Sequence, residues 1–280
     1  MLKNKFNYLI IVLFSITYLL NAQVENVKED KNISHIVESD ISSFYHTGLM
    51  IFSSPLSFDK NDWVIAGSVI STTAIAFVID NKERTFWKMN QSKTLDNVSS
   101  VGHFYGGIQN AAIFGALLYV GGIVSDEPGI RKTGRNLGEA LFYAGITTLS
   151  LKTIFGRSRP FTNDGPFHFK FFQTDFAHTS FPSGDITVAF TLSSVLARTI
   201  DNTYATVILY SLAGTTFIQR MYVDDHWLSD SILGAAIGYF IGNAVVNFEK
   251  SDPDSNMKNR ISFFPNILNN GLGMVLSYNF

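Results

Sequence analysis

The sequence predicts an all-α protein, a helical bundle of about six core helices, and three observations lead to this prediction. The chain of 280 residues is 46% hydrophobic and 14% aromatic, which is enough apolar material for one sizeable core. Six apolar segments of helical character follow one another along the chain. The alternation of apolar and polar residues that is typical of strands is confined to the C-terminal tail, where it predicts at most a short β-hairpin.

The six apolar segments follow a polar lead-in that carries no motif with recognisable chemistry. They run from Trp63 to Ile79, Phe104 to Val124, Leu137 to Leu151, Ile186 to Ala197, Tyr204 to Ile218 and Leu228 to Phe248. A helix needs about 20 apolar residues to cross a bilayer, and several of these segments are shorter or rich in Gly, Ser and Thr. A membrane-embedded bundle and a soluble bundle therefore both remain open, as does the side on which a site would lie.

The chain divides into four parts. These are a signal peptide at residues 1–22, a lead-in at 23–61, the bundle domain at 62–250 and a tail at 251–280 with a turn signal for the hairpin. The signal peptide is predicted because Lys3 and Lys5 precede an apolar run that ends near Ala22, and an uncleaved N-terminal anchor is the alternative. Either form predicts export to the cell envelope, as a membrane-associated or periplasmic protein.

Charge and composition exclude several functions. The formal net charge is only -2 and no long run of Lys or Arg occurs, so a nucleic-acid partner is not expected. Cysteine is absent, which excludes disulfides, thiolate catalysis and cysteine-based zinc sites. The sequence shows no cluster of metal ligands, no cofactor motif and no evident protein partner.

The first group of residues with chemical character lies at the end of the third apolar segment. There Lys152 and Arg159 stand seven residues apart, close to two helical turns, and Pro160 follows. The two cations could share one helical face if the helix continues, although Gly156 indicates that it ends early. Alone, the pair is typical either of an anion site or of a basic helix end.

A second group precedes the fourth apolar segment, in the sequence Pro182-Ser183-Gly184-Asp185. Ser183 can cap the helix, and Gly184 lets a ligand approach the backbone closely. The free N–H groups of the first helical turn would then form an anion cradle. Simple helix capping is the alternative explanation.

The third group lies between the fifth and sixth segments and consists of Arg220, His226 and Asp230. A spacing of four places His226 and Asp230 on one helical face, where the carboxylate can hold one imidazole nitrogen and leave the other free to attack. Arg220 adds a third charged partner. In an antiparallel bundle the three groups meet at one end, which predicts a single site for a phosphoryl group.

The three groups together, Lys-x6-Arg-Pro, then Pro-Ser-Gly, then Arg-x5-His-x3-Asp, resemble the motifs of the type 2 phosphatidic acid phosphatase (PAP2) and vanadium haloperoxidase superfamily. The resemblance covers roughly residues 60–250 and is specific as an ordered triple, since each group alone is common. It implies a helical bundle, either membrane-embedded or soluble and periplasmic. The superfamily includes lipid phosphatases, polyprenyl diphosphate phosphatases, bacterial acid phosphatases and vanadium haloperoxidases.

The resemblance also implies a role for each matching residue. His226 would attack phosphorus and form a phosphohistidine, and Asp230 would orient it. The phosphoryl oxygens would be held by Lys152, Arg159, Ser183, the Gly184 amide and Arg220. Positioning and charge neutralisation are most of what phosphoryl transfer requires of a protein, so no metal and no cofactor are expected.

Asp185 departs from the family pattern, which has histidine at this position as the general acid for the leaving group. A carboxylic acid could serve if its pKa is raised, yet neighbouring Lys and Arg side chains favour the carboxylate. His168 or His178 could replace it. A good leaving group, such as the terminal phosphate of a diphosphate, could also need little acid help. The sequence leaves these explanations open.

The sequence therefore predicts a phosphatase that hydrolyses a phosphomonoester or a diphosphate in a lipid-linked or small-molecule substrate. Two alternatives use the same cradle: a phosphate- or lipid-head-group-binding membrane protein with weakened catalysis, and a vanadium-dependent haloperoxidase. Aromatic residues near the motifs are candidates for a lipid-facing entrance, namely Trp63, Trp87, Phe167, Phe169, Phe171, Phe172 and Phe176. Packing in the core or at an interface explains them equally well.

Overall fold

The structure, a computed structural model, describes residues 33–251, 261–268 and 271–278. In this part of the chain the α-helices are α1 (Ile33–Ser53), α2 (Lys60–Met89), α3 (Lys93–Tyr105), α4 (Ile108–Ser125), α5 (Pro128–Phe155), α6 (Gly184–Ile200), α7 (Thr203–Tyr222) and α8 (Leu228–Ser251). Short 3₁₀-helices lie at Ser54–Ser57, Pro160–Thr162 and Phe176–His178. The all-α bundle predicted from the sequence is confirmed, and its six apolar segments correspond to α2 and to α4 through α8.

Helices α1 and α3 are additions to the six predicted helices. Helix α1 lies in the lead-in and is fixed by a buried acid rather than by an apolar run. Its Asp40 accepts hydrogen bonds from Arg131 at 2.7 Å and Arg135 at 3.0 Å, both on α5. Tyr119 of α4 donates a third bond to the same carboxylate at 2.7 Å. A helix held in this way carries no long apolar segment for a sequence pattern to detect.

The core lies between α4, α5, α6, α7 and α8. Helix α6 is central, since it packs against α5, α7 and α8 and buries Ala189, Val195 and Leu196 completely. Glycine allows α8 to approach it closely, because a Cβ added at Gly238 would lie only 2.4 Å from the carbonyl oxygen of Thr187. This packing fixes the start of α6 against the start of α8, where two of the three sequence groups lie.

Helix α5 ends at a glycine that no other residue could replace without strain. Gly156 has a positive φ of 55°, and a Cβ there would lie 1.5 Å from the carbonyl oxygen of Lys170. The chain therefore leaves the helix before Arg159. The loop from residue 156 to residue 183 then leads to α6, and it carries the second half of the first sequence group.

Two strands pair antiparallel in the C-terminal tail, β1 (Ile261–Leu268) and β2 (Gly271–Tyr278). They flank the turn signal from which the sequence analysis derived a short hairpin. The signal peptide or anchor predicted at residues 1–22 lies outside the described residues.

Three described helices are long and apolar enough to cross a membrane, judged by length and composition: Lys60–Met89, Ile108–Ser125 and Leu228–Glu249. Helix α2 is the clearest case, because only 11% of its most apolar stretch is buried. Its Trp63, Val64 and Ile70 are 60% to 67% exposed. Water-soluble proteins rarely leave such a face uncovered, so the structure favours membrane association of the bundle.

Candidate active site

The ends of α5 and α7 and the starts of α6 and α8 meet at one end of the bundle. This region contains the residues that the sequence analysis selected, namely Lys152, Arg159, Ser183, Gly184, Asp185, Arg220, His226 and Asp230. Five of them are at most 7% exposed: Arg159, Ser183, Arg220, His226 and Asp230. Charged side chains this deeply buried need partners, and the partners explain the arrangement of the site.

His226 and Asp230 form the centre of the site. Nδ1 of His226 lies 3.3 Å from Oδ2 of Asp230, and Nε2 lies 3.3 Å from Nη1 of Arg159. Nδ1–H therefore donates to the carboxylate, and the Nε2 lone pair faces the cations. The sequence analysis placed the pair on one helical face, but His226 precedes the first residue of α8. The two residues meet because Asp230 turns back to cap that helix, accepting the N–H of Trp227 at 2.9 Å.

A buried network holds Asp230 in place. Its Oδ2 accepts a hydrogen bond from the hydroxyl of Ser180, and its Oδ1 accepts one from Nη1 of Arg157, both at 2.5 Å. Arg157 extends to α2, where its Nη2 lies 2.7 Å from Oδ2 of Asp80. The side chains of Arg157, Asp80 and Asp230 are fully buried, so water does not compete for these bonds. The network fixes the carboxylate that orients His226.

The imidazole of His226 is uncharged near neutral pH. Burial, followed by the positive charge of Arg159, holds its pKa well below the ordinary value, although the hydrogen bond to Asp230 acts in the opposite direction. A neutral ring with its proton fixed on Nδ1 presents the Nε2 lone pair. This is the form that a nucleophilic histidine requires.

Arg159 contacts Nε2 of His226, and the charge of Lys152 acts on the same imidazole. The ammonium of Lys152 donates to the carbonyl oxygen of Thr179 at 2.6 Å. The guanidinium of Arg159 donates from Nε to the carbonyl oxygen of Phe176 at 2.8 Å and stacks on the Phe176 ring, with Cζ 3.9 Å from the ring centroid. The two cations do not share a helical face, because α5 has ended. The loop brings Arg159 back to Lys152.

Anion binding beside Lys152 and Arg159 should depend on pH. Burial, followed by the charge of Arg159, lowers the pKa of Lys152 to about 7. A bound dianion would stabilise the ammonium and raise this pKa again. Proton uptake on binding is therefore expected above neutral pH.

Oxyanion affinity should accordingly be fully present below pH 7 and should fall above it, by up to about tenfold per pH unit until the pKa of the bound state is reached. Titration calorimetry with sulfate, which stays a dianion from about pH 6 to pH 9, measures this dependence. Lys152→Arg is the control, because a guanidinium remains charged throughout the range. Equal pH dependence in the two proteins would show that Lys152 is not the titrating group.

Ser183 and Gly184 begin α6 beside these cations. The backbone N–H of Ser183 donates to the carbonyl oxygen of Asp230 at 3.0 Å, and the side chain makes no capping hydrogen bond. The capping explanation offered by the sequence therefore does not apply to Ser183. A Cβ added at Gly184 would lie 3.6 Å from Cε of Lys152. The free N–H groups of this helix start thus lie beside the lysine, where they favour an anion.

Arg220 is bound by two carboxylates. Its Nη1 lies 2.8 Å from Oδ2 of Asp185, and its Nη2 pairs with Asp225. Its Nε is buried and has no hydrogen-bond partner within the described chain. Asp185, the position at which the chain departs from the family pattern, is thus an ion-paired residue at the rim of the site, with its side chain 39% exposed.

The two histidines that could substitute for Asp185 as the acid have other partners. Nδ1 of His168 lies 2.7 Å from the hydroxyl of Ser158, and Nδ1 of His178 lies 2.8 Å from the carboxylate of Asp175. The two rings also lie near each other, with centroids 6.2 Å apart. Neither histidine is oriented by a residue of the cradle.

Sequence reasoning missed three residues that build the site, Asp80, Arg157 and Ser180. Arg157 lies between Lys152 and Arg159, and spacing alone does not distinguish an arginine that faces a ligand from one that is buried. Asp80 did offer a signal, because an acid directly after an apolar segment long enough to cross a membrane is a candidate functional residue. Ser180 precedes the second group and had no distinguishing feature.

The residues of the candidate site share one chemical character. Buried cations, the uncapped start of a helix and a neutral histidine backed by a carboxylate form an arrangement that can hold a tetrahedral oxyanion beside an imidazole, at the end of a helical bundle.

Comparison with known proteins finds a family model that matches the part of the chain containing this site. Residues 133–252 match the model of the PAP2 superfamily, which confirms the resemblance drawn from the motifs. The chain is similar to the crystal structure of LpxE from Aquifex aeolicus, with 22% identity, a TM-score of 0.47 and coverage of 60% of this chain and 95% of that one. It is also similar to a transmembrane PAP2 type phosphatidylglycerolphosphate phosphatase from Bacillus subtilis, with 17% identity, a TM-score of 0.45 and coverage of 76% and 97%. None of the curated proteins matches the chain.

Proposed function

We propose that the protein is a phosphatase that removes a phosphoryl group from a phosphorylated lipid through a phosphohistidine formed on His226. The match of residues 133–252 to the PAP2 superfamily model supports a phosphatase. The neutral imidazole beside a cluster of cations supports the covalent step. The reaction class is hydrolysis of a phosphomonoester or of a diphosphate, and the bundle domain at residues 62–250 would be the catalytic unit.

The observation that carries this proposal is a pair of buried polar atoms without partners. Oγ of Ser183 and Nε of Arg220 make no hydrogen bond to any part of the chain that the structure describes. A buried donor without a partner destabilises a fold by about 1–3 kcal/mol, so such groups persist where a ligand satisfies them. The neighbouring cations Lys152 and Arg159 select an anion with several acceptor oxygens. A phosphoryl group has this property.

In the proposed reaction, Nε2 of His226 attacks phosphorus, and the bond from phosphorus to the leaving oxygen breaks with its electron pair on that oxygen. The leaving oxygen then takes up a proton. The imidazole becomes positive, and its Nδ1–H bond to the Asp230 carboxylate becomes stronger. Water next attacks phosphorus, the phosphorus–nitrogen bond breaks, and one proton of the water is released. Inorganic phosphate leaves and neutral His226 is restored.

We propose that Asp185 positions Arg220 and does not supply the proton for the leaving oxygen. An ion-paired carboxylate accepts hydrogen bonds but carries no proton to give. The proton would then come from water, or the leaving group would itself be a weak base such as a phosphate.

Asp185→Asn separates the two roles. We expect kcat to fall less than tenfold, because the amide oxygen still accepts a hydrogen bond from Arg220, whereas a general acid contributes about 10²–10⁴-fold. Asp185→His should raise kcat more on an alkyl phosphate, whose leaving group is poor, than on an aryl phosphate. Steady-state kinetics with both substrates measure these effects. A loss of about 100-fold or more in the Asn variant would restore Asp185 as the acid.

The loop between Arg159 and Ser183 supports a lipid substrate. Four phenylalanines on it are 61% to 76% exposed, namely Phe167, Phe171, Phe172 and Phe176. Exposed aromatic rings beside a polar site suit the boundary between lipid head groups and acyl chains. The three helices that could cross a membrane support the same location. Export directed by residues 1–22 would bring the site to the cell envelope.

A substrate panel with the purified full-length protein tests the proposal. Release of inorganic phosphate is measured from phosphatidic acid, a polyprenyl diphosphate and a chromogenic phosphomonoester, with His226→Ala as the blank. We expect release from a lipid substrate and none in the blank. Phosphate binding without release from any substrate would instead identify a binding protein, and halide oxidation that requires vanadate and peroxide would identify a haloperoxidase.

A further inference from the structure

Three side chains with metal-binding atoms come together on the loop that follows α5, outside the phosphate cradle. Asp164, His168 and His178 each offer one donor atom, and these atoms all lie within 4.8 Å of one another. Oδ2 of Asp164 is 3.5 Å from Nδ1 of His168 and 4.0 Å from Nε2 of His178. We propose that these three residues bind a zinc ion that closes this loop.

His178 is oriented as metal-binding histidines usually are. Its Nδ1 lies 2.8 Å and 3.0 Å from the two carboxylate oxygens of Asp175, so Nδ1 carries the proton and Nε2 keeps its lone pair. Histidine ligands almost always donate their second N–H to a carboxylate, a carbonyl or water in this way. Nε2 is buried and makes no hydrogen bond within the described residues. A metal ion would give this lone pair a partner.

The donor set and its geometry favour zinc. Zinc binds nitrogen and oxygen at about 2.0–2.2 Å, which puts neighbouring tetrahedral donors about 3.3 Å apart. The hydroxyl of Ser158 now bridges Oδ2 of Asp164 and Nδ1 of His168 at 2.9 Å and 2.7 Å, so these two side chains would have to turn from it toward the ion. The side chains of Asp164 and His168 are 39% and 40% exposed and have room for this movement. Two imidazoles with one carboxylate suit zinc, whereas magnesium and calcium prefer oxygen ligands alone. Water would complete the coordination shell.

The ion would join two halves of the loop that frames Arg159. The backbone N–H of Ser158 donates to the carbonyl oxygen of His168 at 3.0 Å, and that of Arg159 donates to the carbonyl oxygen of Ala177 at 2.9 Å. Hydrogen bonds from Ser158 and Arg159 therefore already hold both halves of the loop, the first through His168 and the second through Ala177. Zinc would add a direct link between the two halves, because Asp164 and His168 lie in the first and His178 lies in the second. The ion takes no part in phosphoryl transfer in this arrangement.

Zinc binding to the tag-free, full-length protein, stripped with a chelator, tests the proposal. Equilibrium dialysis should give one equivalent of zinc for the wild type and none for His178→Ala. Competition with a chromogenic chelator should show about 10–100-fold weaker binding for Asp175→Asn, which removes only the carboxylate behind His178. Two controls should bind zinc as the wild type does: His103→Ala, which removes an exposed histidine of α3, and His226→Ala.

Four outcomes of these zinc-binding measurements would contradict the proposal. Wild-type protein without bound zinc, or equal affinity in His178→Ala and His103→Ala, overturns it. Loss of zinc in His226→Ala would locate the ion in the phosphate site, and displacement of zinc by an equal concentration of magnesium would contradict the donor assignment. Asp175→Asn keeps the test decisive if His178→Ala does not fold.

Discussion

Replacing His226 with alanine should lower the rate of phosphate release by at least about 10³-fold, because the side chain supplies the attacking Nε2 atom. Binding of an oxyanion should change far less, since Lys152, Arg159 and Arg220 remain in place. The loss should therefore appear in kcat and not in the affinity for sulfate. Steady-state kinetics and titration calorimetry on the same preparation measure the two quantities.

His103→Ala is the matched control, because it removes an exposed histidine of α3. It should retain full activity. Asp230→Asn should lower kcat as well, since an amide holds the ring less firmly than a carboxylate that is paired with Arg157. A His226→Ala protein with more than about a tenth of the wild-type rate would exclude His226 as the nucleophile.

Replacing Arg157 with methionine should destabilise the fold by about 3–5 kcal/mol, which is the usual effect of removing one partner from a buried ion pair. Here the loss leaves two carboxylates, Asp80 and Asp230, without their shared cation. Nε of Arg157 also bonds to the carbonyl oxygen of Pro166 at 2.9 Å, and Cζ lies 4.0 Å from the Phe77 ring centroid. Denaturant unfolding of the detergent-solubilised protein measures the change.

Two further variants separate stability from catalysis. Arg198→Met removes an exposed arginine of α6 that donates to Asn247 at 2.7 Å, and it should change the free energy of unfolding by no more than about 1 kcal/mol. Arg157→Lys keeps the charge but not the planar fork that reaches both carboxylates, so kcat should fall while KM stays close to the wild-type value. A fully stable and fully active Arg157→Met protein would show that the network does not hold Asp230.

The sequence predicts a helix where packing in the core or contact with lipid requires a continuous apolar segment. Helices α2 and α4 through α8 carry such segments and were found. Helix α3 was missed because only Gly102 and Tyr105 are buried on it. Helix α1 was missed because a buried cluster of charges around Asp40 fixes it. Charged contacts between distant helices have no local period, so a pattern along the sequence does not reveal them.

The candidate site was predicted to the extent that its residue types stand at fixed spacings. The three groups supplied the cradle and the His226–Asp230 pair, although α5 and α8 end and begin at other positions than the spacing suggested. The network behind them was not predictable, because Arg157 and Asp80 are 77 positions apart. The pairing of Asp185 with Arg220 was hidden for the same reason. Of the proposed zinc ligands, Asp164 and His168 are four positions apart but lie on an irregular loop, and His178 follows ten positions later, so no helical or strand period relates all three.

Trapping the covalent intermediate tests the central claim most directly. A substrate labelled in its phosphoryl group is mixed with the protein, the reaction is quenched in alkaline detergent, and the label on the protein is measured. We expect a label that is stable to base, is released by acid as a phosphohistidine is, and is absent from the His226→Ala variant. Equal labelling of that variant, or turnover by the wild type with no label on the protein at any quench time, would contradict the assignment of His226 as the nucleophile.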